Sequence, residues 1–317
     1  MQDRPDGSAT QRLAWWPRVL LLLGTLVFCV GALEVGLRLA GSEPRYRGDD
    51  LMIVPSDNPR LIYEFRPNHL VVRRGIVLRT NSAGFRDREF ATTKDAKTYR
   101  ILCVGDSVTM GLGVAEDEAF PQQLERLASG LTGPSVEVFN MGITGYNSIQ
   151  EAELVRTRAL SYQPDLLVIG YVLNDNKEDG SDGGLSRYFL RSPSEAYDWL
   201  RTRSKRIWRW IGTDVTTEAF AELAETVSEQ RIPVLILLFP RLELEPDGSY
   251  RRWARHEAVR TLAERLGFMV LDLLEPFKKL RLENAKQVGD RVHPSAHGHR
   301  VAAEQLLAFL EQKRLLD

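Results

Sequence analysis

Two runs in this chain, Asp165-Leu166-Leu167-Val168-Ile169-Gly170-Tyr171-Val172 and Ile232-Pro233-Val234-Leu235-Ile236-Leu237-Leu238-Phe239, have no polar face. Side chains alternate sides along a strand, so a strand apolar on both sides must be covered on both. That condition points to a parallel sheet inside an α/β protein. Three shorter runs fit the same sheet: residues 100–104, 136–140 and 268–272. Helical periodicity falls between them, at residues 121–131, 148–160, 217–230 and 250–266, with a last helix at about 295–314. Pro121 stands early in the first of these helices, where a missing N–H costs little, and Ser148 is placed to cap the second. The expectation is an α/β fold with a five-stranded parallel sheet covered by helices over residues 99–317.

Residues 1–13 form a polar tail, and 14–40 form an apolar segment with Trp15, Trp16 and Arg18 at one end and Arg38 at the other. A spanning helix needs about 20 mostly apolar residues with interfacial anchors at its ends. The segment is therefore expected to anchor the chain in a membrane, with a cleaved signal peptide and a buried helix as alternatives. Arginines on both flanks leave the positive-inside rule without a firm direction; export of the chain beyond the helix is the favoured arrangement. Residues 41–60 read as a linker. Residues 61–90 hold short β-like pieces and the turn sequence Asn81-Ser82-Ala83-Gly84-Phe85-Arg86-Asp87. Together, 41–98 are expected to be a linker and a small β element, with Arg86 in a surface salt bridge or at the rim of a site. Residues 176–213 interrupt the strand–helix rhythm with a Gly-rich start and an aromatic, basic continuation. A lid, a membrane-facing helix and a packed insertion all suit that composition.

A net charge of -1 gives no reason to expect a nucleic-acid partner. The two cysteines, Cys29 in the apolar segment and Cys103 in a strand, do not form a disulfide framework.

Chemistry concentrates at Gly105-Asp106-Ser107-Val108-Thr109-Met110-Gly111, directly after the first sheet strand. Open α/β sheets bind ligands at the carboxyl ends of their strands, which is where this serine falls. Asp290-Arg291-Val292-His293, after the last strand, offers His293 as a base and Asp290 to orient it. The glycines of Asn140-Met141-Gly142-Ile143-Thr144-Gly145 allow close backbone approach, and Asn174 can donate to an oxyanion. Asp106 and Asp175 are expected to shape their turns. His297 and His299 belong to the first turn of the last helix, and no zinc-type ligand set accompanies them. The Gly105–Gly113 stretch lacks the Lys-Ser/Thr of a phosphate-binding loop.

These four blocks, in this order and each behind a strand, resemble the SGNH (GDSL-type) hydrolase family over roughly residues 98–315. The resemblance implies a flavodoxin-like three-layer α/β/α fold and a serine esterase that needs no cofactor or metal. By position it implies Ser107 as nucleophile with Asp290 and His293 completing a triad. It also implies an oxyanion hole of the Ser107 N–H, the Gly145 N–H and the Asn174 side chain, with Gly142 as the alternative to Gly145. The third block is looser than the family's Gly-x-Asn-Asp, so Gly170 is given no catalytic role. The apolar N-terminus and Asn-Ser-x-Gly-Phe-Arg look like membrane-attached bacterial members, with the catalytic part outside the cytoplasm. The expected substrate is an ester-bearing small molecule, lipid or glycan. Alternatives are O-acyl transfer to a cell-envelope glycan and a non-catalytic envelope binding or assembly protein.

Overall fold

The computed structural model describes residues 16–39, 52–73, 75–131, 133–173, 215–242, 249–280, 282–287, 290 and 292–316. The segment 176–213 lies outside them. The chain divides into two compact units, one containing the N-terminal helix and the other the sheet.

In the first unit, helix α1 (Trp16–Leu39) carries Leu20 to Leu23, Leu26, Val27 and Phe28 exposed. Its stretch Trp16–Gly36 has a mean hydropathy of 2.3 and none of its apolar window is covered by protein. By length and composition it can cross a bilayer or serve as a signal sequence.

In the second unit, strands β1 (Ile53–Pro55) and β2 (Tyr63–Phe65) pair antiparallel, as do β3 (Leu70–Arg73) and β4 (Ile76–Arg79). Strand β1 lies inside the stretch expected to be linker; its Ile53 is buried against the main core. The parallel sheet comes next: β5 (Thr98–Gly105), β6 (Ser135–Gly142), β7 (Leu166–Val172), β8 (Val234–Phe239) and β9 (Met269–Asp272). Their order across the sheet is β6-β5-β7-β8-β9, and every pair is parallel. This is the flavodoxin-like order, and helices cover both faces. The helices are α2 (Ser107–Met110), α3 (Phe120–Ala128), α4 (Ser148–Thr157), α5 (Thr216–Ser228), α6 (Trp253–Arg265), α7 (Leu274–Lys279), α8 (Leu282–Ala285) and α9 (Ala296–Gln312). The expected fold is the observed one. One local expectation is corrected: Asn147, not Ser148, caps α4, because its side chain accepts from the Gln150 N–H while Gln150 bonds back.

Strand alternation feeds two cores. Ile101, Cys103, Val168 and Leu235 join α3 and α9 on one face; Leu102, Val104, Ile169 and Ile236 join α4 and α5 on the other. The small β element packs into the second core through Tyr63, Phe65, Leu78 and Phe85.

Three neighbouring strands carry glycine in register: Gly142 and Gly105 end β6 and β5, and Gly170 lies beside Gly105 in β7, which runs on to Val172. A β-carbon on Gly170 would sit 2.1 Å from Thr109 Oγ1, and one on Gly105 would sit 2.2 Å from it. A β-carbon on Gly142 would sit 2.2 Å from the Met110 nitrogen. The row lets α2 lie directly on the sheet's carboxyl edge. Gly170→Ala is expected to cost about 1–3 kcal/mol, the usual range for overpacking. In a Thr109→Ala background most of that cost should vanish, since Thr109 Oγ1 makes the sub-van-der-Waals contact there. Gly142→Ala meets backbone and should find no such relief. Urea unfolding of the parent, the three single variants and the two doubles with Thr109→Ala measures this coupling.

Candidate active site

Helix α2 begins at Ser107 because Asp106 caps it: Asp106 Oδ1 accepts the Val108 N–H at 2.8 Å. Asp106 therefore shapes the turn, as expected. The first N–H groups of a helix have no intrahelical acceptor, so the Ser107 N–H points out of the helix start. The Ser107 residue is 7% exposed. The helix ends after one turn at Gly111, whose positive φ of 79° and N–H to the Val108 carbonyl close it.

His293 Nε2 lies 2.8 Å from Ser107 Oγ, and His293 Nδ1 lies 2.8 Å from Asp290 Oδ2. Asp290 Oδ1 also accepts the backbone N–H of Val292 at 2.7 Å and of His293 at 3.0 Å. Partial burial pushes the Asp290 carboxyl up, but those N–H bonds and the His293 ring outweigh it and hold it down at about 2. The carboxylate is thus charged at neutral pH and fixes the proton of a neutral imidazole on Nδ1, leaving Nε2 to accept. The loop is held by Gln287, which donates its backbone N–H to the His293 carbonyl and its side-chain amide to Leu112 and Pro294 carbonyls.

Gly145 lies beyond the end of β6 with a φ of 80°. Gly142 donates its N–H to Asn140 Oδ1 at 3.0 Å, so that N–H is already committed. Asn174 and Asp175 lie outside the described residues, as does Arg291. His299 is in the first turn of α9; burial, then the His293 ring and Arg86, hold it down at about 3, and its neutral Nδ1 accepts the Phe120 N–H at 3.3 Å. Among the described residues no cluster of three His, Cys, Asp or Glu side chains is placed to hold a metal ion.

Arg86 is corrected: it is fully buried, neither in a surface salt bridge nor at a rim. Its Nη1 donates to the carbonyls of Met110 at 3.1 Å and Gly111 at 2.6 Å, and its Nη2 to Val114 at 2.9 Å. These carbonyls belong to the chain leaving Ser107. The small β element reaches the Gly145 turn as well: Tyr63 Oη donates to the Thr144 carbonyl at 2.8 Å, and Tyr146 Oη to the Tyr63 carbonyl at 2.6 Å. The neighbouring Asp87 accepts the Asn140 N–H at 2.8 Å, and burial pushes its carboxyl up to about 7 against that bond. Sequence patterning missed these supports; the run Gly84-Phe85-Arg86-Asp87, two charges beside a buried aromatic, was the available signal.

Glu151, on the first turn of α4, is buried, and neither carboxyl oxygen has a hydrogen-bond partner among the described residues. Burial, then the nearby Asp106, pushes its proton affinity well above the carboxyl's ordinary 4.5.

A family model described as GDSL-like lipase/acylhydrolase matches residues 103–301. No curated protein matches the chain. Among solved structures, the lipase/acylhydrolase from Enterococcus faecalis is 17% identical with a TM-score of 0.47, over 68% of this chain and 96% of that one. The acetylxylan esterase Axe2 from Geobacillus stearothermophilus, solved as a catalytic mutant, is 19% identical with a TM-score of 0.44, over 66% and 93%. The structure of TesA is 19% identical with a TM-score of 0.46, over 68% and 99%.

Two outcomes are expected from the buried groups. Replacing Arg86 by Met strands buried carbonyls and should cost about 3 kcal/mol, a Tm fall of roughly 6–12 °C; Arg86→Lys should recover only part, lacking the planar fork. For Glu151 the folded value lies above the unfolded one. Its contribution is intact below pH 4.5 and is lost as pH rises toward the folded value. Glu151→Gln should therefore gain in Tm over the parent as pH rises from that value, by thermal unfolding across a pH series; a constant difference would count against a buried neutral acid.

Proposed function

The chain belongs to the GDSL-like lipase/acylhydrolase family and is a hydrolase of ester bonds, and on that premise we propose that it is a serine esterase working through an acyl-enzyme on Ser107. The observation that carries this reading is the continuous hydrogen-bonded chain Ser107–His293–Asp290, with 2.8 Å at each side-chain link.

In the proposed cycle Ser107 Oγ attacks the ester carbonyl carbon while His293 Nε2 takes the Oγ proton. Asp290 stabilises the imidazolium so formed. The tetrahedral oxyanion is held by the N–H groups of Ser107 and Gly145 and by the Asn174 side chain; one such donor is worth about 3 kcal/mol in the transition state. Gly145 is preferred over Gly142 because the Gly142 N–H is spent on Asn140. As the C–O bond to the alcohol breaks, His293 returns the proton to the leaving oxygen. Water then attacks the acyl carbon while His293 Nε2 takes its proton; the bond from the acyl carbon to Ser107 Oγ breaks, His293 returns the proton to Oγ, and the acid leaves.

The reading extends to the rest of the chain. Residues 14–40 are the membrane anchor, 41–98 join it to the enzyme and contribute the small β element, and 99–317 are the hydrolase with 176–213 inserted. The protein is placed at a bacterial membrane with its catalytic part outside the cytoplasm. Support for the anchor is α1, whose apolar window is uncovered by protein. The substrate class is an ester-bearing small molecule, lipid or glycan.

The test is hydrolysis of a short p-nitrophenyl ester. Ser107→Ala should abolish turnover with an unchanged Tm, and undiminished turnover would overturn the assignment. Asp290→Asn should lower kcat by roughly 10³–10⁴-fold with KM little changed.

A further inference from the structure

The hairpin β3–β4 is apolar on both faces. Its inner face packs into the core through Leu78, 3% exposed, and through the partly buried Val71 and Ile76. Its outer face shows Leu70 and Val72, each 58% exposed, and Val77, 50% exposed. Val72 and Val77 are register partners, and Leu70 pairs with Arg79, so these apolar side chains form one cross-strand patch. A hairpin with one solvated face ordinarily alternates apolar and polar residues, and this one does not.

The hairpin's own stretch of sequence is one-signed. From Arg66 to Arg86 the sequence has no acidic residue, while Arg66, Arg73, Arg74 and Arg79 are basic, in a chain of net charge -1. Arg79 has a largely exposed side chain with a 3.4 Å contact to Glu116 as its ion pair. The hairpin is also tied to the Ser107 turn. Arg86, which holds the Met110, Gly111 and Val114 carbonyls, has its Nη2 3.4 Å from the Val77 carbonyl.

The geometry points to the outer face of β3–β4 as a docking surface for an anionic lipid bilayer. Leu70, Val72 and Val77 enter the headgroup–acyl boundary and Arg79, on the same face, meets lipid phosphates. Apolar side chains flanked by arginine are the combination that interfacial segments use. A second copy of the chain fits less well. A patch of three aliphatic side chains is small beside the ~800 Å² per partner of a stable protein interface. In the sequence only residues 40–52 separate this unit's first strand from an apolar helix long enough to cross a bilayer.

The experiment places spin labels on the full chain in a Cys29→Ser background, where Cys103 is buried. Val72→Cys and Val77→Cys probe the patch, and Glu311→Cys, exposed on α9, is the aqueous control. The protein is reconstituted into nanodiscs of phosphatidylcholine alone or mixed with phosphatidylglycerol. In mixed discs the ratio of oxygen to Ni-EDDA accessibility should rise several-fold at 72 and 77, stay flat at 311, and fall back in discs without phosphatidylglycerol. Labels at 72 and 77 as water-accessible as 311 would overturn the proposal. So would spin–spin broadening between labels at 72, which would assign the patch to a second copy. Leu70→Cys supplies a replacement probe should either variant fail to fold. The readout is independent of turnover, so it stands or falls apart from the esterase reading.

Discussion

The placement of Ser107 depends on an absence of side-chain atoms. Gly142, Gly105 and Gly170 stand side by side in three paired strands, and α2 rests on them. Interiors are packed too densely to absorb an extra methyl there without moving a neighbour. The serine is therefore held by contact between a helix and a sheet edge, both rigid, and only its hydroxyl faces outward. Gly170, which the motif comparison left without a chemical role, belongs to this seat.

Around that seat the charged groups divide into those that must stay ionised and those that must not. Asp290 is kept charged by backbone N–H donors aimed at it. His299, one turn into α9 and fully buried, is kept neutral by its burial and by the His293 ring. Burial, then the nearby Asp106, raises the proton affinity of Glu151 well above that of an ordinary carboxyl. A neutral His299 avoids the several-kcal/mol penalty of an unpaired buried charge. Asp290 thus holds a negative charge at the far end of the Ser107–His293–Asp290 chain, where an imidazolium would need it.

The sheet and its helices were legible because their signals are local and redundant. Continuous apolar runs such as Leu166–Val172 admit few structures other than a covered strand, and helix ends strayed by only a few residues. Ser107 stood out because it follows a recognisable strand directly; Asp290 and His293 stood out by their spacing ahead of the last helix, past α7 and α8 and not at a strand end. Arg86 was not, because an arginine near a turn reads as solvent-exposed unless its acceptors are known, and these are carbonyls 24 to 28 residues later in sequence. Strand β1 was not, because three residues in a polar, Pro-containing stretch carry no periodicity; pairing with β2 defines it. The cap of α4 shifted by one residue because Asn147 and Ser148 are both good caps, and the reciprocal bond to Gln150 decides between them.

The clasp between Tyr63 and Tyr146 bears on where this enzyme begins. The match to the family starts at residue 103, inside β5, and contains every motif from Ser107 to His293. Yet the turn at Gly145 is braced by Tyr63, the turn at Ser107 by Arg86, and the end of β6 by Asp87. A chain cut at the family boundary would keep all four motifs and lose the braces of two of them. The folded unit is therefore longer than the family match: it takes in the strands β1 to β4, whose side chains pack on the sheet's core and bond to its turns.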